Sequence, residues 1–359
     1  MTRPRCVAFV AANDEGARTG NERTTMRLAN ALRETGIYVE LVRPGDDDTH
    51  VTTRLAALDS RPDLIHAFHA RRAGPRAARF ARELEVPLVV GVTGTDLAVD
   101  IHRADRASIV VEALRQADAV TCGNADEVAV VKSLLLSAAP PCVVLPKGVA
   151  IPDELPTPAL HLVPGQTLVL QVANVRPVKN VALAVRAVRH LREAGASIRL
   201  VVLGDVLDTE YERDVEDAAG GPEAWSAILH PSVPSEEMGR YYAAADIVLN
   251  TSHGEGGSNA LLEAMAHERA VVASAVAGNI AYVGADESRG LLYDVDVHDD
   301  GSVAHDDASL IAALRRLHES PGLRSRLGDS ARQWIAAQHG ATAELDALLS
   351  VYAHALATS

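Results

Sequence analysis

Short runs of apolar, often β-branched residues alternate along this chain with longer stretches whose apolar positions recur every three or four residues. The first pattern predicts strands and the second amphipathic helices. Strands are expected at 6–10, 38–42, 64–68, 87–92, 119–122 and 142–145, with helices at 24–35, 76–84, 107–116 and 126–135 between them. Gly36 closes the first helix as a C-terminal cap. Pro146, Pro152, Pro156, Pro158 and Pro164 then break the pattern, and proline at this density predicts a linker. Alternation restarts with strands at 168–172, 198–203, 227–230, 247–250 and 270–273, and with helices at 181–194, 210–219, 235–244, 260–267, 308–318 and 321–338. Strand–helix–strand order with short connections predicts two α/β halves, each a doubly wound parallel sheet, near 1–148 and 160–335. A cleft between two such halves is the expected place for a ligand.

Composition narrows the function. A chain of 359 residues suits two domains, and its 48% hydrophobic content is ample for two cores. Thirty-four basic against 48 acidic side chains give a net charge of −14, which argues against nucleic acid as a partner. No apolar run approaches the roughly 18–20 residues of a membrane span, so no stable membrane insertion is expected. Residues 1–10 read as a lead into a strand and not as a signal peptide. Cys6, Cys122 and Cys142 are widely spaced and lack a C-x-x-C pair, which fits a reducing, cytoplasmic setting without zinc. The acidic stretches at 46–48 and 299–307 read as solvated loops.

The sharpest chemical signal is the run from Ser252 to Ala266, with Glu255 in a glycine-rich loop after an apolar strand and Glu263 eight residues on. A helix opening near Ser258 or Asn259 offers free N–H groups and a positive dipole end to a phosphate. Gly256 and Gly257 let the backbone come close to that ligand. One carboxylate in the loop and another about two turns down the helix then suit hydroxyls on either side of the phosphates. A second, basic signal is Arg176-Pro177-Val178-Lys179, in the loop after the first strand of the second half. The guanidinium supplies a planar fork and the ammonium a point charge for a diphosphate.

With these residues the chain resembles the GT-B, family 4 type retaining glycosyltransferases, whose signature is this E-x7-E run followed by Leu-Leu-Glu-Ala-Met-Ala. The resemblance implies two Rossmann-like domains facing each other, an acceptor half at 1–148 and a donor half at 160–335, with a C-terminal helix at 341–356 returning to the first. It implies transfer of a sugar from a nucleoside diphosphate sugar, UDP-linked, to a small-molecule acceptor, without a cofactor or catalytic metal. Glu255 then binds sugar hydroxyls, Glu263 the ribose, and the backbone of Gly256, Gly257, Ser258, Asn259 and Ala260 the sugar and phosphates. Arg176 and Lys179 match the family's R-x-x-K motif and stabilise the leaving diphosphate.

In the first half, Gly20 and Asn21 follow a loose glycine-containing loop and either cap the next helix or bind an anion. Thr95-Asp96 stands where many relatives have His-Asp, so a catalytic histidine is not expected there; Asp96 either orients hydroxyls or caps a helix. His69, Arg71 and Arg72 close another strand, where the arginines suit an anionic acceptor and a histidine beside a strand is commonly structural. The combination of these three segments resembles a smaller branch that includes selenosugar synthases of selenoneine biosynthesis and the glycosyltransferase-1-domain-containing proteins. That branch implies, as an alternative, transfer of an amino sugar to selenophosphate; a non-catalytic nucleotide-sugar binding module is the other.

Overall fold

The computed structural model describes residues 3–14, 19–57, 61–160, 163–298 and 302–357. The chain divides into two compact units, one of Met1–Gly148 with Ala341–Ser359, the other of Val149–Gly340.

The first unit carries β1 (Cys6–Val10), α1 (Gly20–Glu34), β2 (Tyr38–Val42), α2 (Asp48–Ala57), β3 (Leu64–Phe68), α3 (Gly74–Leu84), β4 (Leu88–Gly91), α4 (Gly94–Ala98), α5 (Ala104–Arg115), β5 (Ala119–Cys122), α6 (Ala125–Leu135) and β6 (Cys142–Val144). Its strands form one parallel sheet in the order β2-β1-β3-β4-β5-β6. The order reverses between β1 and β3, so the loops that leave these two strands open at the switch point, where doubly wound sheets take their ligands. β1 and β3 are buried along their whole length, which is why they read as apolar runs, that of β3 broken only by His66.

The acidic stretch at 46–48 is only in part a solvated loop: Asp47 is exposed, but Asp46 and Asp48 have structural partners. Asp48 opens α2 and pairs with Arg76 Nε at 2.5 Å and with Arg79, while Asp46 accepts from the Arg43 amide at 2.8 Å. Acidic side chains at a helix start are favoured by its dipole, and the basic face of α3 supplies the partners. Of the stretch at 299–307, residues 299–301 lie outside the described residues; Asp306 caps the following helix through the amides of Ala308 and Ser309.

The last helix, α15 (Ala341–Ala357), belongs to this first unit. Leu348, Val351, Tyr352 and Ala355 pack against Val7, Phe9, Leu64, Phe68 and Val89 of the sheet. Buried side chains of this size contribute about 1.5–3 kcal/mol each. Arg27 of α1 holds buried Glu344 through two hydrogen bonds, 2.9 and 2.6 Å. Inside the contact, His66 Nδ1 meets the Tyr352 hydroxyl at 2.8 Å.

Complete burial pushes the His66 imidazole down to about 3. The folded state therefore keeps it neutral, whereas the unfolded chain takes up a proton as pH falls below about 6.5. Between those values the unfolded state binds more protons, so stability falls with falling pH, by up to about 1.4 kcal/mol per pH unit from this group. Thermal melts over pH 4–7 should show that slope, and His66→Phe should flatten it. An unchanged slope in the variant would place the acid sensitivity elsewhere.

The second unit carries β7 (Thr167–Val172), α7 (Val181–Glu193), β8 (Ile198–Leu203), α8 (Thr209–Ala219), α9 (Pro222–Ser226), β9 (Leu229–His230), α10 (Met238–Ala244), β10 (Ile247–Asn250), α11 (Asn259–Ala266), β11 (Ala270–Ser274), α12 (Ala277–Val283), β12 (Leu291–Tyr293), the pair β13 (Val295–Val297) and β14 (Val303–His305), α13 (Asp307–Glu319) and α14 (Pro321–Gln338). Six parallel strands run in the order β12-β11-β10-β7-β8-β9, and β13 and β14 pair separately as an antiparallel hairpin. The switch point lies between β7 and β10. The proline-rich stretch packs on this unit: Val149 N–H donates to the His339 carbonyl, Ala159 N–H to that of Arg240, and Arg332 to that of Pro152. Among the described residues no helix is long and apolar enough to cross a membrane.

Candidate active site

β7 and β10 are neighbours at the switch point of the second sheet. The loop after β7 carries Arg176 and Lys179, and the loop after β10 carries Glu255, so both candidate motifs issue side by side from the C-terminal edge. Arg176 opens a single 3-10 turn, Pro177–Lys179, and Asn180 follows in the left-handed region (φ +45°) to start α7. Thr251, fully buried, donates from its hydroxyl to the carbonyls of Lys179 and Asn180, both at 2.9 Å. Gln171 donates to Thr251 Oγ1 at 2.8 Å, and the His253 amide to the Val178 carbonyl at 2.9 Å. These bonds lock the basic loop to the acidic one.

Lys179 Nζ lies 2.5 Å from Glu255 Oε1, with side chains 20% and 10% exposed. The same oxygen accepts from Ser252 Oγ at 2.7 Å and from Asn250 Nδ2 at 3.1 Å. Among the described residues every hydrogen bond to this carboxylate falls on Oε1, which leaves Oε2 as an acceptor for a ligand hydroxyl. Burial alone would raise the Glu255 pKa; the Lys179 ammonium and the hydroxyl and amide donors outweigh it and hold the carboxyl below its ordinary value. Asn250 is itself fixed, its Oδ1 accepting from the Ser252 amide at 3.1 Å and from Asn279 Nδ2 at 3.2 Å.

The glycine-rich loop is shaped by close packing. Gly257 has φ +116°, and a Cβ there would meet the Tyr282 ring and hydroxyl. A Cβ on Gly278, in α12, would overlap the carbonyl oxygen of Glu255. Ser258 caps α11, its hydroxyl accepting from the Leu261 amide, and Asn259 and Ala260 form the first turn. Glu263 is the fifth residue of α11, one turn in and not two. Its Oε2 accepts from the buried Tyr242 hydroxyl at 2.8 Å. Glu255 and Glu263 thus bracket the start of α11.

In the first unit, His69 and Asp96 meet. His69 directly follows β3 with φ +98°, a sparsely populated conformation for a residue with a side chain, held as its N–H donates to the Gly91 carbonyl at 3.0 Å. Its Nδ1 lies 2.5 Å from Asp96 Oδ1, and its Nε2 3.1 Å from Thr95 Oγ1. Asp96 is 0% exposed and accepts the amides of Ala70, Arg71 and Thr93 and the Thr93 hydroxyl. Burial would raise its pKa, but the His69 contact and the backbone amides outweigh that and lower it. Both of its oxygens are engaged, and Asp96 caps α4 and positions the His69 turn. The histidine absent from position 95 has a counterpart in His69, brought to the same aspartate from the neighbouring strand.

Arg71 Nε and Arg106 Nη1 both bind buried Asp100, at 2.9 and 3.1 Å, and Arg72 is exposed. His69, Asp96 and Asp100 each bring one ligating atom within 4.8 Å of the others, but donors already occupy these carboxylates, and the cluster is a hydrogen-bonded one. Thr19 caps α1 through the Glu22 amide, placing Gly20 and Asn21 in its first turn at the β1 side of the switch point; residues 15–18 of that loop lie outside the described residues. Asn250, Ser252, Thr251, Gln171, Tyr242 and Asn279, which hold the second unit's site, carry no spacing signal in the sequence.

Residues 158–334 match the family model described as "Glycosyl transferases group 1". The D-inositol 3-phosphate glycosyltransferase of Kineococcus radiotolerans is 32% identical over 244 residues, 60% of this chain and 52% of the relative. The chain spans about half the length of the curated relatives of this kind that it matches. Glycosyltransferase 1 domain-containing protein 1 of Xenopus tropicalis is 21% identical over 92% of this chain and 93% of its own. Among solved structures, sucrose-phosphate synthase from Thermosynechococcus elongatus superposes with a TM-score of 0.80 at 19% identity, covering 99% of this chain and 100% of that one. Anabaena HepE in complex with UDP and glucose gives 0.74 at 15% identity, covering 97% and 99%. By fold the chain is of the GT-B kind, and by sequence residues 158–334 are similar to the glycosyl transferases group 1 domain.

Proposed function

We propose that this protein is a retaining glycosyltransferase that moves a sugar from a UDP-linked donor to a small anionic acceptor. The observation that carries the reading is the Lys179–Glu255 pair at the switch point, 2.5 Å apart, with one carboxylate oxygen anchored and the other left for a hydroxyl. Lys179 has three donors and spends one on Glu255, so two remain for phosphate oxygens. Arg176 adds a fork at the other end of the same turn. The α11 start suits the phosphates, and Glu263 the ribose.

In the proposed reaction the bond from the anomeric carbon to the diphosphate oxygen breaks as the acceptor approaches on the same face. The acceptor oxygen bonds the anomeric carbon, and its proton leaves with the departing diphosphate. Lys179 and Arg176 stabilise the charge that grows on that diphosphate. Glu255 orients the sugar. No protein nucleophile is invoked. A HepE structure holding UDP and glucose, and relatives named for a phosphorylated inositol acceptor, support the donor and the acceptor class. Arg71, Arg72 and Arg106 beside the first sheet's edge are the groups proposed to meet the acceptor's charge.

Thermal shift against UDP, GDP, UDP-glucose and UDP-N-acetylglucosamine, followed by UDP release with inositol phosphates, hexose phosphates and selenophosphate, tests this. Stabilisation by UDP and release that depends on a phosphorylated acceptor are expected. Release with selenophosphate alone would select the selenosugar alternative, and binding without turnover the binding module. Within this site, Glu263→Gln should raise donor KM about tenfold with kcat within about twofold, because the ribose does not change during transfer. A fall in kcat at unchanged KM would remove Glu263 from the ribose.

A further inference from the structure

Ser252 and His253 lead directly into the Glu255 loop, and His253 is one end of a run of hydrogen bonds through the neighbouring hairpin. The Ser252 carbonyl accepts from Ser274 Oγ at 2.7 Å. The Tyr293 oxygen lies 2.8 Å from His305 Nδ1, and His305 Nε2 lies 2.9 Å from His253 Nδ1. The His253 ring also bonds the backbone of Val303, in β14. Finally, the His253 amide donates to the Val178 carbonyl, between Arg176 and Lys179.

One proton order satisfies the run from Tyr293 through His305 and His253 to Val303 with both rings neutral. Tyr293 O–H donates to His305 Nδ1, His305 Nε2–H to His253 Nδ1, and His253 Nε2–H to the Val303 carbonyl. Burial, first, and the neighbouring His253 and Arg186, second, push His305 down to about 4. Burial also lowers His253. Two imidazoles in this contact, ring centroids 4.7 Å apart, serve no packing need that two apolar side chains would not meet better.

We infer that His305 and His253 are positioning residues of the donor site, and that the β13–β14 hairpin is the strut that sets the Glu255 loop against the Arg176–Lys179 turn. The inference rests on the donor-site reading above. Neither histidine touches the ligand. Their effect is to hold the Ser252–His253 peptide, and through it the spacing of Glu255 Oε2 from the phosphate-facing Lys179.

The test uses the full chain with UDP and UDP-glucose as probes. In the wild type, imidazole ¹⁵N spectra at pH 7 should show both rings as neutral Nε2–H tautomers. His305→Phe keeps a ring of similar size and removes the bonds. It should weaken UDP-glucose binding, and raise donor KM, about tenfold, the worth of one or two lost hydrogen bonds. kcat should stay within about twofold. His305→Gln, which can still accept from Tyr293 and donate to His253, should recover most of that loss. If His305→Phe does not fold, Tyr293→Phe removes one oxygen only and should weaken binding about threefold. An Nδ1–H tautomer on either ring, unchanged UDP-glucose binding in His305→Phe, or a His305→Gln variant as impaired as His305→Phe would overturn the inference. A wild type that binds neither probe would instead defeat the donor-site reading, and the nitrogen spectra would still decide whether the run exists.

Discussion

Lys179→Ala should lower kcat by about 10²–10³-fold, the loss seen when one preorganised donor to a developing oxyanion is removed. The ammonium faces charge that appears as the diphosphate departs, so its contribution is larger at the transition state than in the bound donor, and KM should change less than kcat. A second effect follows from the ion pair. Glu255 is held below its ordinary pKa against burial, with Lys179 the strongest of the groups that lower it. Without the ammonium, the Ser252 and Asn250 donors remain and burial weighs more, so the carboxyl shifts upward. The acid limb of the kcat/KM profile should therefore move to higher pH in the variant. Arg176→Lys should not be benign, because a point charge does not reproduce the planar fork. Steady-state UDP release over pH 5–8 reads all of this; an intact kcat in Lys179→Ala would remove it from the chemistry.

Gly278→Ala should abolish donor binding while leaving the second sheet folded. A Cβ at 278 would overlap the Glu255 carbonyl oxygen and crowd the Gly257 amide. The clash is with backbone on both sides, so no rotamer change relieves it, and either the Glu255 loop or α12 has to move. α12 is tied down by Asn279, whose Nδ2 bonds Asn250 Oδ1 and the carbonyl and hydroxyl of Ser274. The loop is the weaker element and should give way, carrying Glu255 from Lys179. Overpacking of this kind costs about 1–3 kcal/mol in stability. Calorimetry with UDP-glucose and a thermal melt separate the two consequences: a large loss of affinity with a modest loss in melting temperature is expected. Wild-type affinity in the variant would show that the loop is not held in this way.

The strands and the two donor loops were legible because each is a local pattern. β7 and β10 each hold three consecutive apolar residues, Leu168–Leu170 and Ile247–Leu249, and the residues after them combine glycine or proline with charge. What the pattern did not contain was contact between distant segments. His253 and His305 stand 52 residues apart and meet only because the hairpin folds back on the β10 loop. α12, which shapes the glycine-rich loop, begins with Gly278 and Asn279, residues of low helix propensity that hid it. α2 was hidden by Asp46-Asp47-Asp48, whose partners Arg76 and Arg79 lie on another helix. Asp96 reads in the sequence as either orienting hydroxyls or capping a helix, and four hydrogen-bond donors from residues 70–71 and Thr93, with His69 beside them, show the capping role. The proline-rich stretch looked like a free linker because prolines reveal the absence of helix, not whether the segment packs. It joins the second unit through the His339, Arg240 and Arg332 contacts.

In the proposed reading the donor is divided between Glu263 at the nucleotide, Glu255 at the sugar and Lys179 between them. Calorimetric titration of UDP and of UDP-glucose into the wild type, Glu255→Gln and Glu263→Gln tests it most directly. The wild type should bind both ligands, Glu263→Gln should weaken both to the same degree, and Glu255→Gln should weaken UDP-glucose while leaving UDP unchanged. Absence of UDP binding in the wild type, or a Glu255→Gln variant that loses UDP as strongly as UDP-glucose, would contradict it.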